Sequence, residues 1–515
     1  MKEKIQTINF PNDFSPKTAA IWFWSLVGFS AVLWILLPTL FHAGYRPDVI
    51  ELQMVGKEWA LATRKHPMLP AWILEIINIL TNRAFAAPFI ASQICVVISL
   101  WSVWQLGRKV LSEKFALLAV IAALPYWFFT IESIKFNQNI ALIAFWSLSM
   151  YLVFQAFQTN KLFYWAFSGL SLGLAFHAKY TAIFLVLSIL AFMTIQPDMR
   201  KYWKEKGFYL TSFIAFFTFL PHLIWLYLDD FSILTYVQNR NVSSYWIYHL
   251  IYPLNFLANQ FFYLIPVCFV LMPCFHGKCF KFSERNNKEK SAERYLFCCI
   301  FLPVFIHIVI AALGRIHLTT DYGAIFWIFI GVWFFLRFRT RETSGIFSRT
   351  IKSFVFVEAV LIATFLVQSV FSPYFLGTPR RFHFPMRELG IACDKIWDAH
   401  SSTPCPYVTG DWIIAGNAAY AMKNRPSVHF YYWQKTESNN MKPTGSWSTD
   451  EDVNQKGGMI VWNISDNSQS ENDVPDWLRK SFPNAEVIPD PIILPYKTGT
   501  KVPPLKVGAA VIPPP

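Results

Sequence analysis

Two carboxylates three residues apart, Asp48 and Glu51, lie in the stretch YRPDVIELQMVGKEWALATRKHPMLPAWIL, residues 45–74. In a helix that spacing sets both on one face. Lys65 and His66 follow, with His66 directly before Pro67. A carboxylate that accepts a proton, beside cations that hold an anion, can activate an attacking hydroxyl while a negatively charged group departs. Val49, Leu52 and Trp59 form an adjoining apolar stripe. The same stretch therefore also reads as an amphipathic helix lying in a membrane interface, its charges simply facing water. Pro47 suits the first turn of such a helix, and Pro67 is expected to stop it.

Further polar residues recur in company. Glu132, Lys135, Asn137 and Asn139 stand at the junction of two apolar runs. His177 and Lys179 interrupt FSGLSLGLAFHAKYTAIFLV. His222 and Arg240 flank a second polar stretch, and Arg315, His317 and Asp321 occupy residues 314–321. Each alone has a structural explanation: a lysine reaching for the interface, a histidine bonded to a carbonyl, an asparagine capping a helix. Ionisable residues at such depths are costly and mark function by default. Their shared placement argues for one common site.

The elements that must position them are membrane spans. The 515 residues are 54% hydrophobic and 18% aromatic, with 15% charged, against about 25% in soluble chains. Fifty Phe and twenty-one Trp exceed what one water-soluble core would bury. Apolar runs suited to crossing about 30 Å of hydrocarbon fall near 19–41, 85–106, 115–131, 140–158, 162–178, 181–196, 208–227, 256–275, 295–313, 322–338 and 352–371. The fold class is thus a polytopic α-helical membrane protein of about 11 transmembrane helices. The net charge of +13 does not point to nucleic acid. Lys and Arg concentrate in alternate loops, which places the N-terminus in the cytoplasm and residues 372–515 outside. The first apolar run follows a polar segment, lacks a small-residue cleavage site and reads as an anchor rather than a signal peptide.

Residues 1–371 form the expected membrane domain, with long outside loops at 42–84 and 228–255. Residues 372–515 have short apolar runs broken by Gly, Pro, Asn and Asp. PYVTG (406–410), SVHFYYW (427–433), GGMIVWNIS (457–465) and NAEVIPD (484–490) read as strands. Residues 386–400, 417–424 and 474–482 read as helices. Their alternation predicts a small C-terminal α/β domain with a Pro-rich tail, VPPLKVGAAVIPPP, that trails from it. Asp411, Trp412, Arg425 and Tyr431 there suit sugar contacts, and an ordinary strand–helix core accounts for them equally. Cys393 and Cys405 either pair in an oxidising compartment or remain two small buried thiols.

An acid and several cations at a membrane surface suit attack on the anomeric carbon of a sugar whose leaving group is a lipid phosphate. The chain resembles the GT-C superfamily of polyprenyl-phosphate-sugar-dependent glycosyltransferases. Within it, the likeness is to bacterial relatives of protein O-mannosyltransferases and of the lipid A aminoarabinose transferase. Those families carry an Asp-Glu pair early in the first periplasmic loop and a His-Pro or Lys-Pro step about 18 residues on. Asp48 and HPML (66–69) match at that separation. FNQNIALIAFW (136–146), GLSLGLAFHAKY (169–180) and PHLIWLYLDDF (221–231) are looser counterparts.

The resemblance implies that Asp48 is the general base, with inversion at the sugar. It implies that Lys65 or His66 helps bind the donor phosphate, and Lys179, Arg240 and Arg315 are further candidates for that role. Glu132, Asn137, Asn139, His177 and His317 are the remaining candidates. Three departures matter. Val49 stands where a second carboxylate is usual, which leaves open whether Glu51 substitutes. Met68 replaces a second proline, and Asn139 or Asn137 replaces an aspartate. A metal bridged by two carboxylates is therefore not expected, and no cofactor is obligatory. The expected partners are a lipid-linked sugar donor, a glycolipid or glycan acceptor and membrane lipids. The expected setting is a bacterial inner membrane with a periplasmic C-terminal domain. The rival class is a lipid or glycan transporter or flippase, whose polar residues would sit at the bilayer midplane among internal repeats. No repeat is visible here. A non-catalytic scaffold would leave the shared polar face without purpose.

Overall fold

The computed structural model describes residues 14–63, 65–231, 245–275, 280–281, 286–340, 345–371, 374–375, 377, 379–429, 447–464, 475–496 and 502–513. They divide into two compact units. The first comprises 1–36, 61–70 and 89–362, and the second 37–60, 71–88 and 363–515.

Among the described residues, seven helices are long and apolar enough to cross a membrane: Pro16–Phe41, Ala87–Val110, Gln138–Thr159, Lys206–Leu228, Tyr248–Cys274, Asn287–Gly314 and Ile346–Phe371. An eighth candidate, Tyr180–Ile195 with Pro197–Lys204, is bent by 113°. Every one of the eleven expected apolar runs holds a helix, but four of those helices are short. The run at 115–131 is helical only over Glu113–Ala123. Pro125 follows, and with no backbone N–H it cannot donate the next bond of the helical ladder. The chain then continues as two 3₁₀ turns, Trp127–Phe129 and Ile131–Ile134. The run at 322–338 likewise divides into a 3₁₀ turn, Thr320–Ile325, and a short helix, Ile330–Arg337. These breaks carry Glu132 and Asp321.

The second unit holds the expected α/β arrangement. Strand Tyr407–Gly410 pairs in parallel with Ser427–Val428 on one side and Gly458–Asn463 on the other. Leu505–Ile512 pairs antiparallel with Gly458–Asn463, with Gly458 opposite Ile512 and Asn463 opposite Val507. Glu486–Val487 and Ile492–Leu494 both pair with Leu505–Ile512. The C-terminal segment, expected to trail, is thus an interior strand. Its prolines sit only at its ends, where no ladder hydrogen bond is lost, and LKVGAAVI between them is apolar. Helix Met386–His400 falls where the sequence places it, and the next helix begins earlier, at Trp412. Cys393 and Cys405 are both buried, free thiols. Burial pushes the Cys393 thiol up to about 12, which makes it inert. Tyr431 lies outside the described residues.

Residues 37–60 and 71–88 belong to this second unit. The expected interfacial helix exists as Pro47–Lys57 with Pro47 in its first turn, but Val49 through Gly56 are all buried. Its charges do not simply face water. The helix ends ten residues before Pro67, as Trp59 takes a left-handed φ of 49°. Gly416 explains the burial: a Cβ there would stand 2.4 Å from Ile50 Cγ2 and 2.8 Å from Met54 Sδ, so only glycine admits this helix. Arg425 binds Glu75 through both Nη atoms at 2.7 Å and donates to the Gln53 carbonyl at 3.0 Å. Replacing Arg425 with Met leaves a buried carboxylate unpaired and should lower the unfolding free energy by about 3–5 kcal/mol. Thermal melting of the purified protein measures this, and the double variant Glu75→Leu/Arg425→Met should recover most of the loss.

Candidate active site

Within the first unit, the broken segments bring the candidate residues into three linked groups. The first is an ion triad. Lys135 Nζ lies 2.6 Å from Glu132 Oε2 and 2.6 Å from Asp321 Oδ2. Burial alone would lower the Lys135 pKa. The two carboxylates outweigh it and hold the ammonium above the ordinary lysine value. Asp321 is positioned by its turn, where the Tyr126 hydroxyl donates to the Gly323 carbonyl at 3.1 Å and Gln260 Nε2 to the Thr320 carbonyl at 3.2 Å. A Cβ on Gly323 would fall 1.7 Å from Gln260 Oε1, so any larger residue here would displace the Gln260 amide that holds the turn.

The second group surrounds Lys179. The helix Leu162–Ala178 stops there because Lys179 is extended, with φ −165° and ψ 139°. The chain resumes as the turn Tyr180–Ala182. This break lets Lys179, 7% exposed, reach inward. Its Nζ donates to Asn139 Oδ1 at 2.6 Å and lies 3.9 Å from the centre of the Tyr322 ring. Asn137 caps the helix Gln138–Thr159 by accepting from the Asn139 and Ile140 amides. It is thereby a positioning residue for Asn139. Tyr322 follows Asp321 in the same turn, which joins this group to the triad.

The third group contains His177 and His222, with ring centres 6.0 Å apart. His177 Nε2 bonds the Thr218 carbonyl at 2.8 Å, and His222 Nε2 bonds the Tyr180 hydroxyl at 2.7 Å. Tyr180 neighbours Lys179 in sequence, so the break that positions the lysine also positions this pair.

The other candidates are dispersed. Lys65 and His66, also in the first unit, are half-buried on a tight turn. Thr63 Oγ1 accepts from both of their amides, and Ala62 bridges to Pro67. Arg315 takes a left-handed φ of 50° at the end of the helix Asn287–Gly314. His317 stands edge-on to Tyr252 at 5.1 Å. Arg240 lies outside the described residues. Asp48 and Glu51 belong to the second unit, in the first turns of the helix Pro47–Lys57, with Glu51 9% exposed. Asp411, a sugar-contact candidate, caps the helix Trp412–Ala421 through the Ile413 and Ile414 amides.

Comparison with known proteins follows the same lines. Residues 65–225 match the family model described as dolichyl-phosphate-mannose-protein mannosyltransferase. The whole structure aligns with ArnT from Cupriavidus metallidurans bound to undecaprenyl phosphate, at a TM-score of 0.58 and 10% identity. That alignment covers 97% of this chain and 100% of ArnT. The apo state of the same protein aligns at 0.57, with 11% identity over 96% of this chain and 100% of that one. The chain shares the fold of ArnT. No curated protein matches the chain by sequence.

Tyr322, Tyr180 and Gln260 escaped the sequence analysis, because an aromatic or an amide in an aromatic-rich chain carries no signal of its own. Glu75 was detectable as an acid inside the apolar helix LPAWILEIINIL. Since Lys135 has a folded-state pKa above its unfolded value of about 10.4, its stabilising contribution is fully present below that pH. It is lost only as pH rises through the raised value. Lys135→Met should therefore lower the melting temperature by the same amount at pH 6, 7 and 8, as read by thermal unfolding in detergent.

Proposed function

We propose that this chain transfers a single sugar from a polyprenyl-phosphate-linked donor to an acceptor outside the membrane, with inversion at the anomeric carbon. The observation that carries this reading is the extent of the likeness to ArnT: nearly all of this chain aligns with all of a protein that was crystallised with undecaprenyl phosphate bound. A lipid phosphate is a leaving group whose charge must be held while the glycosidic bond breaks. Lys65, His66, Lys179, Arg240 and Arg315 are assigned to hold it. Asp48 takes the proton from the acceptor hydroxyl as that oxygen attacks, and Glu51 is the second carboxylate available for this. His177, His317, Glu132, Asn137 and Asn139 support the site. With Val49 after Asp48, no pair of adjacent carboxylates is offered to a divalent ion, and the reaction proceeds without one.

The acceptor is a glycolipid or glycan such as lipid A or the lipopolysaccharide core. The protein lies in the bacterial inner membrane, N-terminus in the cytoplasm and C-terminal unit in the periplasm. Asp48→Asn should insert and fold as the parent does, yet drop turnover by roughly two to four powers of ten in a transfer assay with polyprenyl-phosphate sugars. Unimpaired transfer removes Asp48 from the mechanism. Mass spectrometry of surface glycolipids from cells with and without the gene should show a difference of one sugar residue.

A further inference from the structure

Within the first unit, the apolar segment Tyr180–Ile195 breaks at Gln196, which is extended at φ −86° and ψ 111° ahead of Pro197. The chain continues as the 3₁₀ turn Pro197–Lys204, set at 113° to the segment before it. That angle lays the turn across the end of the helix instead of along it. The span candidate Lys206–Leu228 starts two residues later, so the turn borders a membrane surface. Three-residue periodicity sorts its side chains. Met199 and Tyr202 share one side, and Tyr202 is 4% exposed, its hydroxyl donating to the Phe157 carbonyl at 2.5 Å. Arg200, Lys201 and Lys204 are exposed on the others.

Neighbouring segments add to the same charge and fix its position. Lys206 begins the next helix, and Gly207 lies against Trp165, where a Cβ would come within 2.2 Å of the indole. Trp165 Nε1 donates to Asn160 Oδ1 at 3.0 Å and Asn160 Nδ2 to Glu205 Oε2 at 3.4 Å, which brings Lys161 to the turn. Arg294 reaches in from the helix Asn287–Gly314 and donates to Gln196 Oε1 at 2.5 Å. Lys161, Lys206 and Arg294 are exposed as well. None of these six cations forms an ion pair among the described residues. Exposed apolar side chains border them: Leu162 and Phe163 beside Lys161, and Tyr209 beyond Lys206. Surplus positive charge beside lipid-facing rings is the composition of a surface that rests on anionic headgroups. A soluble acidic partner would use the cations and leave those rings uncovered.

We propose that the turn Pro197–Lys204, with Lys161, Lys206 and Arg294, is a binding surface for anionic phospholipid headgroups. Its guanidinium and ammonium groups donate to the headgroup phosphates, and Trp203 and Tyr209 take the interfacial depth that amphipathic rings prefer. The surface lies at the opposite end of the segment that begins at the Tyr180 break. It therefore anchors that segment without touching the candidate active site, and it is independent of the transfer reading.

The test uses the full-length protein and native mass spectrometry with phosphatidylglycerol and phosphatidylcholine of identical chains. The parent should retain phosphatidylglycerol at about tenfold lower lipid concentration than phosphatidylcholine. Arg200→Gln/Lys201→Gln/Lys204→Gln should reduce that preference to about twofold or less. Lys395→Gln/Lys423→Gln/Lys480→Gln removes equal charge from exposed positions in the second unit and should leave it unchanged. Equal retention of both lipids by the parent overturns the proposal. So does a preference that persists in the first triple variant, or an equal loss in the second. Displacement of the lipid by excess glycerol phosphate also overturns it, since the site would then serve a free phosphate. Should the first variant not fold, lysine acylation of the parent in lipid nanodiscs decides. Replacing phosphatidylcholine with phosphatidylglycerol should slow labelling of Lys201 and Lys204 by about threefold, because adjacent phosphates keep the amines protonated, with Lys423 unchanged. Labelling indifferent to the lipid overturns the proposal.

Discussion

Pairing of buried charge governs this structure. Removing an ion from water costs several kcal/mol unless a partner and hydrogen bonds replace the lost hydration. In a chain with 15% charged residues, two sets of buried and half-buried charges are gathered into close ion pairs. Lys135 draws the turn Ile131–Ile134 and the turn Thr320–Ile325 together through Glu132 and Asp321. Arg425 ties the strand-rich C-terminal part of its unit to Glu75 and to the Gln53 carbonyl. Both sets fall where a helix is short or has ended.

The same logic bears on function. Lys179 is buried at a helix break, held by an amide oxygen and an aromatic face. The two carboxylates around Lys135 lock two turns together, which separates that lysine from the residues the sequence grouped with it at one face.

Much of the architecture was legible because it rests on hydrophobic length and strand alternation. Helix Met386–His400 and the strands at 407–410 and 458–463 follow from local pattern. Span integrity was less so: Pro125 signals the break after Ala123, but nothing local marks Thr320–Ile325 as a turn. The C-terminal strand was hidden because its flanking prolines dominate the composition while the eight residues between them carry the pairing. Burial of Pro47–Lys57 was hidden too, since it depends on Gly416, over 350 residues away in sequence. At the site, ionisable residues in apolar runs (Glu132, His177, Lys179) announced themselves by their cost. Their partners Tyr180 and Tyr322 did not, because tertiary contact alone gives those residues their meaning.

The central claim is that the buried cation at the helix break serves a lipid phosphate. Native mass spectrometry of the purified protein with added undecaprenyl phosphate tests it most directly, comparing the parent with Lys179→Gln. The account predicts that the parent retains the lipid and that the variant, folded to the same melting temperature, binds it about tenfold more weakly, a difference of about 1.4 kcal/mol. Equal retention by both proteins would contradict it.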